Sequence, residues 1–277
     1  MKVALYYRHI DDADRAAFDT LVGALHNRGV ATTEVHDGDN VDACDYLFSV
    51  GGDGTLLSSV QFVRSTAHDT FPPIVGINFG HLGFLTTVGR EGLQDMVDCL
   101  LEGRFSVEER TLLEVNDGTY ALNEVFLHRP EGSSMLRTEL YVDDRYVATY
   151  AGDGVIVATP TGSTAYSLSC GGPILTPDSG CFVVTPIGAH TLTLRPIIVP
   201  DSARMRLVVV PATHHTGTAP ADEPLTLGMD SRRLTLHGAA QVALRRAPFR
   251  VRLVRIGEQN FVTAIREKLM WGTEVRD

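Results

Sequence analysis

The sequence predicts a chain in two parts, an α/β domain followed by an antiparallel β-rich domain. Three observations carry this. Short apolar runs alternate with helix-period segments over roughly the first third. From about Arg110 the runs come at short intervals with turn residues between them. A last segment returns to helical spacing.

The elements follow in order. Val3 to Tyr7 is a strand-like apolar run. Asp11 or Asp12 can cap a helix whose apolar face carries Phe18, Leu21, Val22 and Leu25, and Gly29 stands where that helix should stop. Tyr46 to Val50 is a second strand, ended by Gly51-Gly52-Asp53-Gly54-Thr55 and followed by an apolar stretch from Leu56 to Val63. Ile74 to Asn78 is a third strand and Leu93 to Leu101 a further helix. Strand–helix alternation of this kind argues for a parallel sheet covered by helices. In the second part, three pairs of strand-like runs flank Asn116-Asp117-Gly118, Asp143-Asp144 and Asp230-Ser231, which are hairpin chemistry. A short helix fits after Pro160. Gln259 to Trp271 carries Phe261, Ile265 and Leu269 on one helical face, which must be covered, and the first domain is the expected cover. The expected division is residues 1–105, 106–255 and a C-terminal helix at 256–277.

The chain has 277 residues, room for one large domain or two ordinary ones. Hydrophobic residues are 44% and charged residues 21%, ordinary for a globular core. The net charge of −10 opposes binding to a polyanion, so no nucleic-acid partner is expected. No apolar run approaches the roughly 18 residues that span a bilayer, so no membrane partner is expected either. The opening MKVALYYRHIDDADR turns acidic too soon for a signal peptide. Cys44, Cys99, Cys170 and Cys181 show no metal-binding spacing, so no protein metal site is expected and the thiols fit a reducing cytoplasm. Lys2 and Lys268 are the only lysines; arginine carries the rest of the positive charge.

Four segments carry chemistry. The Gly51–Thr55 turn lies between a strand and a helix, where glycines allow close approach of a phosphate. Asp53 adds a negative charge there, which makes sense if it holds a metal ion or accepts a proton from an attacking hydroxyl. A tight turn with Asp53 as a helix cap accounts for the same residues. The turn lacks the Gly-Lys-Ser/Thr ending of a Walker A loop. Asn78-Phe79-Gly80-His81-Leu82-Gly83-Phe84-Leu85 suggests backbone wrapped near a ligand, and an ordinary loop fits it too. Asn123-Glu124 places an amide and a carboxylate inside an apolar stretch, suited either to ribose hydroxyls or to a strand-end hydrogen-bond pair. Asp153 precedes a strand that leads into Thr159-Pro160-Thr161-Gly162-Ser163-Thr164-Ala165-Tyr166-Ser167-Leu168-Ser169. Hydroxyls, glycines and one tyrosine in so short a stretch suit a nucleotide pocket better than a core.

In this order and at these spacings the chain resembles the NAD kinase family. The likeness runs nearly end to end through GGDGTLL, GINFGHLGFLT, ALNEVFLH, GDGVIVATPTGSTAYSLSCGGPI, VTPIGAHTLTLRPIIVP and REKLMWG. The TPTGSTAYS run is highly specific, whereas GGDG alone is shared with lipid kinases and phosphofructokinases. The resemblance implies a Rossmann-like α/β N-terminal domain and a β-sandwich-like C-terminal domain. It implies transfer of a phosphoryl group from ATP, or from polyphosphate, to the adenosine ribose 2′-hydroxyl of NAD, giving NADP. Mg²⁺ or another divalent cation would arrive with ATP, and the assembly would be a homodimer or homotetramer. By position, Asp53 matches the family's proton acceptor, and Gly51, Gly52, Gly54 and Thr55 the phosphate-side loop. Asn123, Glu124 and Asp153 match dinucleotide contacts. Thr161 and Thr164 to Ser169, with Tyr166 central, match the run that holds adenine, and the resemblance implies that Gly188-Ala189-His190 lines the same pocket. One departure stands out. The family often has Asp-Gly-Gln or Asp-Ser-Gln where this chain has Asp230-Ser231-Arg232, so Arg232 is expected to meet a ligand phosphate or carboxylate.

Overall fold

The structure, a computed structural model, describes residues 1–41, 43–62, 71–80, 83–116, 118–130, 132–133, 135–210, 224–257 and 260–270. It divides into two compact units: Met1–Glu109 with the described residues from Val251 on, and Arg110–Arg250. The order expected from the sequence, α/β and then antiparallel β, is the order found.

The first unit contains β1 (Lys2–Tyr6), α1 (Asp12–Asn27), β2 (Ala31–Val35), β3 (Tyr46–Val50), α2 (Asp53–Ser59), β4 (Ile74–Asn78), β5 (Val88–Gly89) and α3 (Leu93–Leu101). The sheet runs β2–β1–β3–β4 with every pair parallel. Asp11 is the cap of α1, accepting from the Asp14 N–H at 2.9 Å, and Gly29 follows with φ +72°. Phe18, Leu21 and Leu25 of α1 and Met96, Val97 and Leu100 of α3 bury one face of the sheet against Val3, Phe48, Val75 and Ile77. Side chains alternate along a strand, so Gly76 faces the other way, where Leu56 of α2 lies close against it. Coverage on both faces explains why these strands read as continuous apolar runs. β2 escapes that signature. It is an edge strand, ATTEV, with only Val35 fully buried. The expected stretch after the glycine turn ends its α-helix at Ser59 and continues as one 3₁₀ turn, Val60–Phe62; Val63 lies outside the described residues.

The next elements are β6 (Ser106–Val115), β7 (Thr119–Ala121), β8 (Glu124–His128), β9 (Leu136–Val142), β10 (Arg145–Gly152), β11 (Gly154–Ala158), α4 (Tyr166–Ser169), β12 (Cys181–Ile187), β13 (Ile197–Pro200), β14 (Met205–Val209), β15 (Leu225–Met229), β16 (Arg232–Leu236) and β17 (Gln241–Arg255). In the second unit, one antiparallel sheet runs β13–β12–β11–β8–β15–β16. Against it lie β10–β9–β14 and the first part of β17, with the β6–β7 hairpin. Val125, Leu127, Val155, Val157, Phe182 and Val184 meet Leu140, Leu207, Val242 and Leu244 in the core between them. The alternate residues Ile156, Ala158 and Val183 face outward, where Leu175 and the half-buried Tyr166 cover them. The hairpin turns are where the sequence puts them. Asp143 and Asp144 both take positive φ (47° and 62°), as a two-residue turn between twisted strands requires. Asp117 of the first hairpin lies outside the described residues.

The last helix, α5 (Phe261–Leu269), is capped by Asn260, whose Oδ1 accepts from the Thr263 N–H at 3.0 Å. Phe261, Ile265 and Leu269 are half-buried, and the Lys268 ammonium stands 5.8 Å from the centre of the Phe84 ring. Gln259 and Trp271, the expected ends, lie outside the described residues.

Candidate active site

Two polar clusters stand out, one in each unit. The first is the turn between β3 and α2. Gly51 has φ +142°, and its N–H donates to the Ile77 carbonyl at 2.8 Å, tying the turn to β4. A Cβ at this position would sit 2.4 Å from Thr55 Oγ1, so the turn requires glycine twice over. Asp53 is the first residue of α2. Its Oδ2 accepts from the Phe84 N–H at 2.7 Å. Its Oδ1 accepts from the N–H groups of Leu85 (3.2 Å) and Thr86 (3.1 Å) and from the Thr86 hydroxyl (3.1 Å). Thr86 Oγ1 in turn accepts from the Gly83 N–H at 2.7 Å. A Cβ on Gly83 would stand 1.6 Å from Asp53 Oδ1. The glycine-punctuated segment after β4 therefore wraps a carboxylate of the protein itself; His81 and Leu82 lie outside the described residues. Oδ2 has only one of these donors, so a lone pair remains there for an incoming hydroxyl.

The second cluster centres on Asn123 and Glu124, where β8 begins. The Asp230 carboxylate, in the β15–β16 turn, accepts from the N–H groups of Leu122 (2.8 Å), Asn123 (2.8 Å) and Glu124 (3.2 Å). On the other flank the Thr159 N–H donates to the Asn123 carbonyl at 2.9 Å, and the Thr159 hydroxyl to the Leu122 carbonyl at 2.6 Å. The three-residue strap is thus stitched to two elements distant in sequence. Burial, reinforced by the Asp230 charge, pushes the Glu124 carboxyl up to about 8, although the Tyr166 N–H hydrogen-bonds it. Burial also raises Asp230, to about 6, against the pull of its three backbone donors and Arg232. At neutral pH the charge therefore rests on Asp230, which has the donors, and the proton rests on Glu124. Asn123 Oδ1 and Glu124 Oε2 are buried without a hydrogen-bond partner among the described residues. Tyr166 lies edge-on to Phe126, centroids 5.6 Å apart and planes at 84°.

Comparison with known proteins decides what the clusters belong to. Residues 13–105 match the family model for the ATP-NAD kinase N-terminal domain, and residues 122–228 that for the C-terminal domain. The chain belongs to the NAD kinase family. A NAD kinase of Flavobacterium psychrophilum is 36% identical over 265 residues, covering 91% of this chain and 86% of the relative. One from Porphyromonas gingivalis is 40% identical over 237 residues, covering 84% and 78%. Among solved structures, a yeast NADH kinase complexed with NADH has a TM-score of 0.89 at 24% identity, covering 100% of this chain and 89% of that one. A NAD kinase from Archaeoglobus fulgidus in complex with ATP gives 0.77 at 23% identity, with 98% of each chain covered. At those identities the structural matches show the fold.

Within this NAD kinase fold the residues singled out from sequence fall into groups. Gly51, Gly52, Asp53, Gly54 and Thr55 form one turn, with Gly54 exposed. Asn123, Glu124 and the Tyr166 backbone adjoin one another. Thr161 and Ser167 are buried, and the Ser167 hydroxyl is 2.8 Å from Thr185 Oγ1, so both face inward. Thr164, Ala165, Tyr166 and Leu168 are half-buried and Ser169 is exposed. Asp153 is paired with Arg129 at 2.7 Å, beside Gly188. Arg232 donates to the Tyr120 carbonyl, so its guanidinium braces the β7 end of the strap. Sequence reading missed Asp230 as the strap's acceptor, and Thr159 and Arg129 as supports. Their partners are remote in sequence, and no local pattern marks them.

Proposed function

We infer that this chain phosphorylates the 2′-hydroxyl of the adenosine ribose of NAD with ATP, making NADP. The observation that carries the reading is an aspartate fixed at a glycine turn, in a chain that matches both NAD kinase domains.

A ribose hydroxyl is a weak nucleophile, and phosphoryl transfer depends chiefly on alignment and charge neutralisation. The 2′-oxygen forms a bond to the γ-phosphorus as the bond to the bridging oxygen breaks and ADP leaves. Asp53 takes the hydroxyl proton on Oδ2, the oxygen with the single backbone donor, and later passes it to water. Its four donors hold the carboxylate in one orientation, which supports this role. Gly51, Gly52, Gly54 and Thr55 pass along the donor phosphates. Asn123, Glu124 and Asp153 hold the dinucleotide. Tyr166 lies over its adenosine end, with Thr164, Ala165, Leu168 and Ser169 around it, Thr161 and Ser167 beneath, and Arg232 bracing the strap. Two buried oxygens on Asn123 and Glu124, without a partner among the described residues, support a polar ligand there. Among the described residues no three His, Cys, Asp or Glu side chains are grouped to hold a metal ion. A divalent cation such as Mg²⁺, carried on ATP, supplies neutralisation of the phosphate charge. Polyphosphate is a second candidate donor. The cytoplasm is the expected setting, on the free thiols, and a homodimer or homotetramer the expected assembly, on the family resemblance. No described helix is long and apolar enough to cross a membrane.

The test is a coupled assay of purified protein with NAD, ATP and Mg²⁺, reading NADP with an NADP-specific dehydrogenase. Polyphosphate and NADH serve as alternative substrates. NADP formation by the wild type is the expected result. Dinucleotide binding with no NADP from any donor would make the protein a non-catalytic sensor and overturn the reading.

A further inference from the structure

We propose that Arg8, with His9, completes a subsite for the phosphate chain of the phosphoryl donor beside the glycine turn; this rests on the kinase reading above. The first unit contains a cavity of about 550 Å³ whose lining includes Arg8, His9, Asp14, Gly51, Gly52 and Asn78. That volume falls within the range of small-molecule sites.

The charges around it are unequal. Arg8 and His9 follow β1, and both are exposed. No hydrogen bond or ion pair to another described residue engages the Arg8 guanidinium. Asp14 could cancel it, but the Asp14 carboxylate is paired with Arg90, which also donates to the Ala13 and Phe79 carbonyls. Asp11 is occupied as the cap of α1. Asp53, one residue beyond Gly52, does not line the cavity, and its carboxylate accepts from the 84–86 backbone. An anion entering the cavity thus meets an arginine with no ion pair among the described residues, and the one carboxylate in the lining, Asp14, is already paired with Arg90; Asp37, the other acid nearby, accepts from the Tyr6 hydroxyl. In a chain of net charge −10, such a local excess is selective. The planar guanidinium matches two phosphate oxygens at once, and Gly52 adds no side chain to the space. A chain of linked phosphates fits the Arg8 and glycine side of this lining, while Ile10, Val50 and Phe79 form an apolar side. ATP and inorganic polyphosphate both carry that chain.

The test is calorimetric titration of the wild type, Arg8→Ala and Arg8→Lys with inorganic tripolyphosphate, ATP, adenosine and NAD, beside the NADP assay. Arg8→Ala should weaken tripolyphosphate and ATP alike by about 10- to 100-fold, the range of a charge-assisted hydrogen bond. NAD and adenosine should be unaffected, and Arg8→Lys should recover part of the loss. An exposed side chain can be removed without unfolding, and an unchanged melting temperature checks this. Tripolyphosphate affinity within twofold of wild type in Arg8→Ala would overturn the subsite, as would equal losses for NAD and tripolyphosphate. A loss for ATP without one for tripolyphosphate would also overturn it, placing Arg8 on the nucleoside. If tripolyphosphate binding depends on Arg8 while no NADP is made, the subsite stands and the kinase reading falls. If NADP is made and Arg8→Ala binds tripolyphosphate normally, the reverse holds.

Discussion

Asp53 does two jobs with one carboxylate. Its oxygens anchor Phe84, Leu85 and Thr86, and one lone pair on Oδ2 remains for chemistry. Asp53→Asn is therefore not a silent isostere. One carboxylate oxygen becomes an NH₂ group, and at least one backbone N–H then faces a donor. Two effects should appear together. Turnover should fall ~10²–10⁴-fold through loss of the proton acceptor. The melting temperature should drop as well, because a buried donor left unpaired costs about 1–3 kcal/mol. Turnover near wild type, measured where chemistry limits the rate, would remove Asp53 from the reaction. The glycines of the turn separate in the same way. Gly51→Ala should disable folding of the turn, since its Cβ would collide with Thr55. At Gly52 a Cβ would find only Asn78 Nδ2 at 3.7 Å, an ordinary contact. Gly52→Ala should leave thermal stability unchanged and raise KM for ATP. A stable Gly52→Ala enzyme with normal KM for ATP would show that no ligand uses that space.

At the scale of elements, the unit of function in the second half is the strap Leu122–Glu124, held from both sides. The β15–β16 turn supplies an acceptor for three of its N–H groups, and Thr159 bonds two of its carbonyls. Asp230→Ala would leave three buried donors without an acceptor. The loss should be of order 3 kcal/mol, read as a lower urea midpoint. KM for NAD should rise more than KM for ATP. Asp230→Asn, which retains one acceptor oxygen, should fall between. Equal urea midpoints for Asp230→Ala and wild type would show that the strap holds itself. This joint also marks how far the sequence could be read. The Asp-Ser turn was legible as a turn because positive φ at Asp230 is local chemistry. Its partner Leu122 is 108 residues away, and no spacing rule reaches that far. The segment from Asn78 shows the same limit: its glycines were visible, but not that they make room for Asp53. The strands of the covered parallel sheet were legible from their apolar runs, whereas β2, a polar edge strand, was not.

Over the whole molecule these buried acids set a slope of stability against pH. Glu124 and Asp230 are both raised in the folded state, to about 8 and about 6, from ordinary values of 4.5 and 3.8. The folded chain therefore holds protons that the unfolded chain has released. Below about pH 3 both states are protonated and neither group contributes a slope. As pH rises through the interval between each pair of values, the unfolded state ionises first and stability declines. Asp98 acts oppositely. Its hydrogen bond to Arg28 lowers it, so its contribution appears above the ordinary aspartate value and is lost as pH falls; being only half-buried and screened by water, it is minor. From about pH 7 Asp230 is ionised in both states, and of these two acids only Glu124 still titrates in the fold. There the decline approaches ~1.4 kcal/mol per pH unit for one proton. Glu124→Gln mimics the neutral acid. Its urea midpoint should match wild type near pH 6 and fall less steeply than that of wild type up to pH 8. The same substitution should leave KM for NAD within a few-fold at pH 6.5, where wild-type Glu124 carries its proton. Above pH 8 the wild type should lose NAD affinity and Glu124→Gln should not. Parallel midpoints for the two proteins across pH 6–8 would mean that Glu124 is ionised in the fold. The strap would then hold two carboxylates, and a cation would have to accompany them.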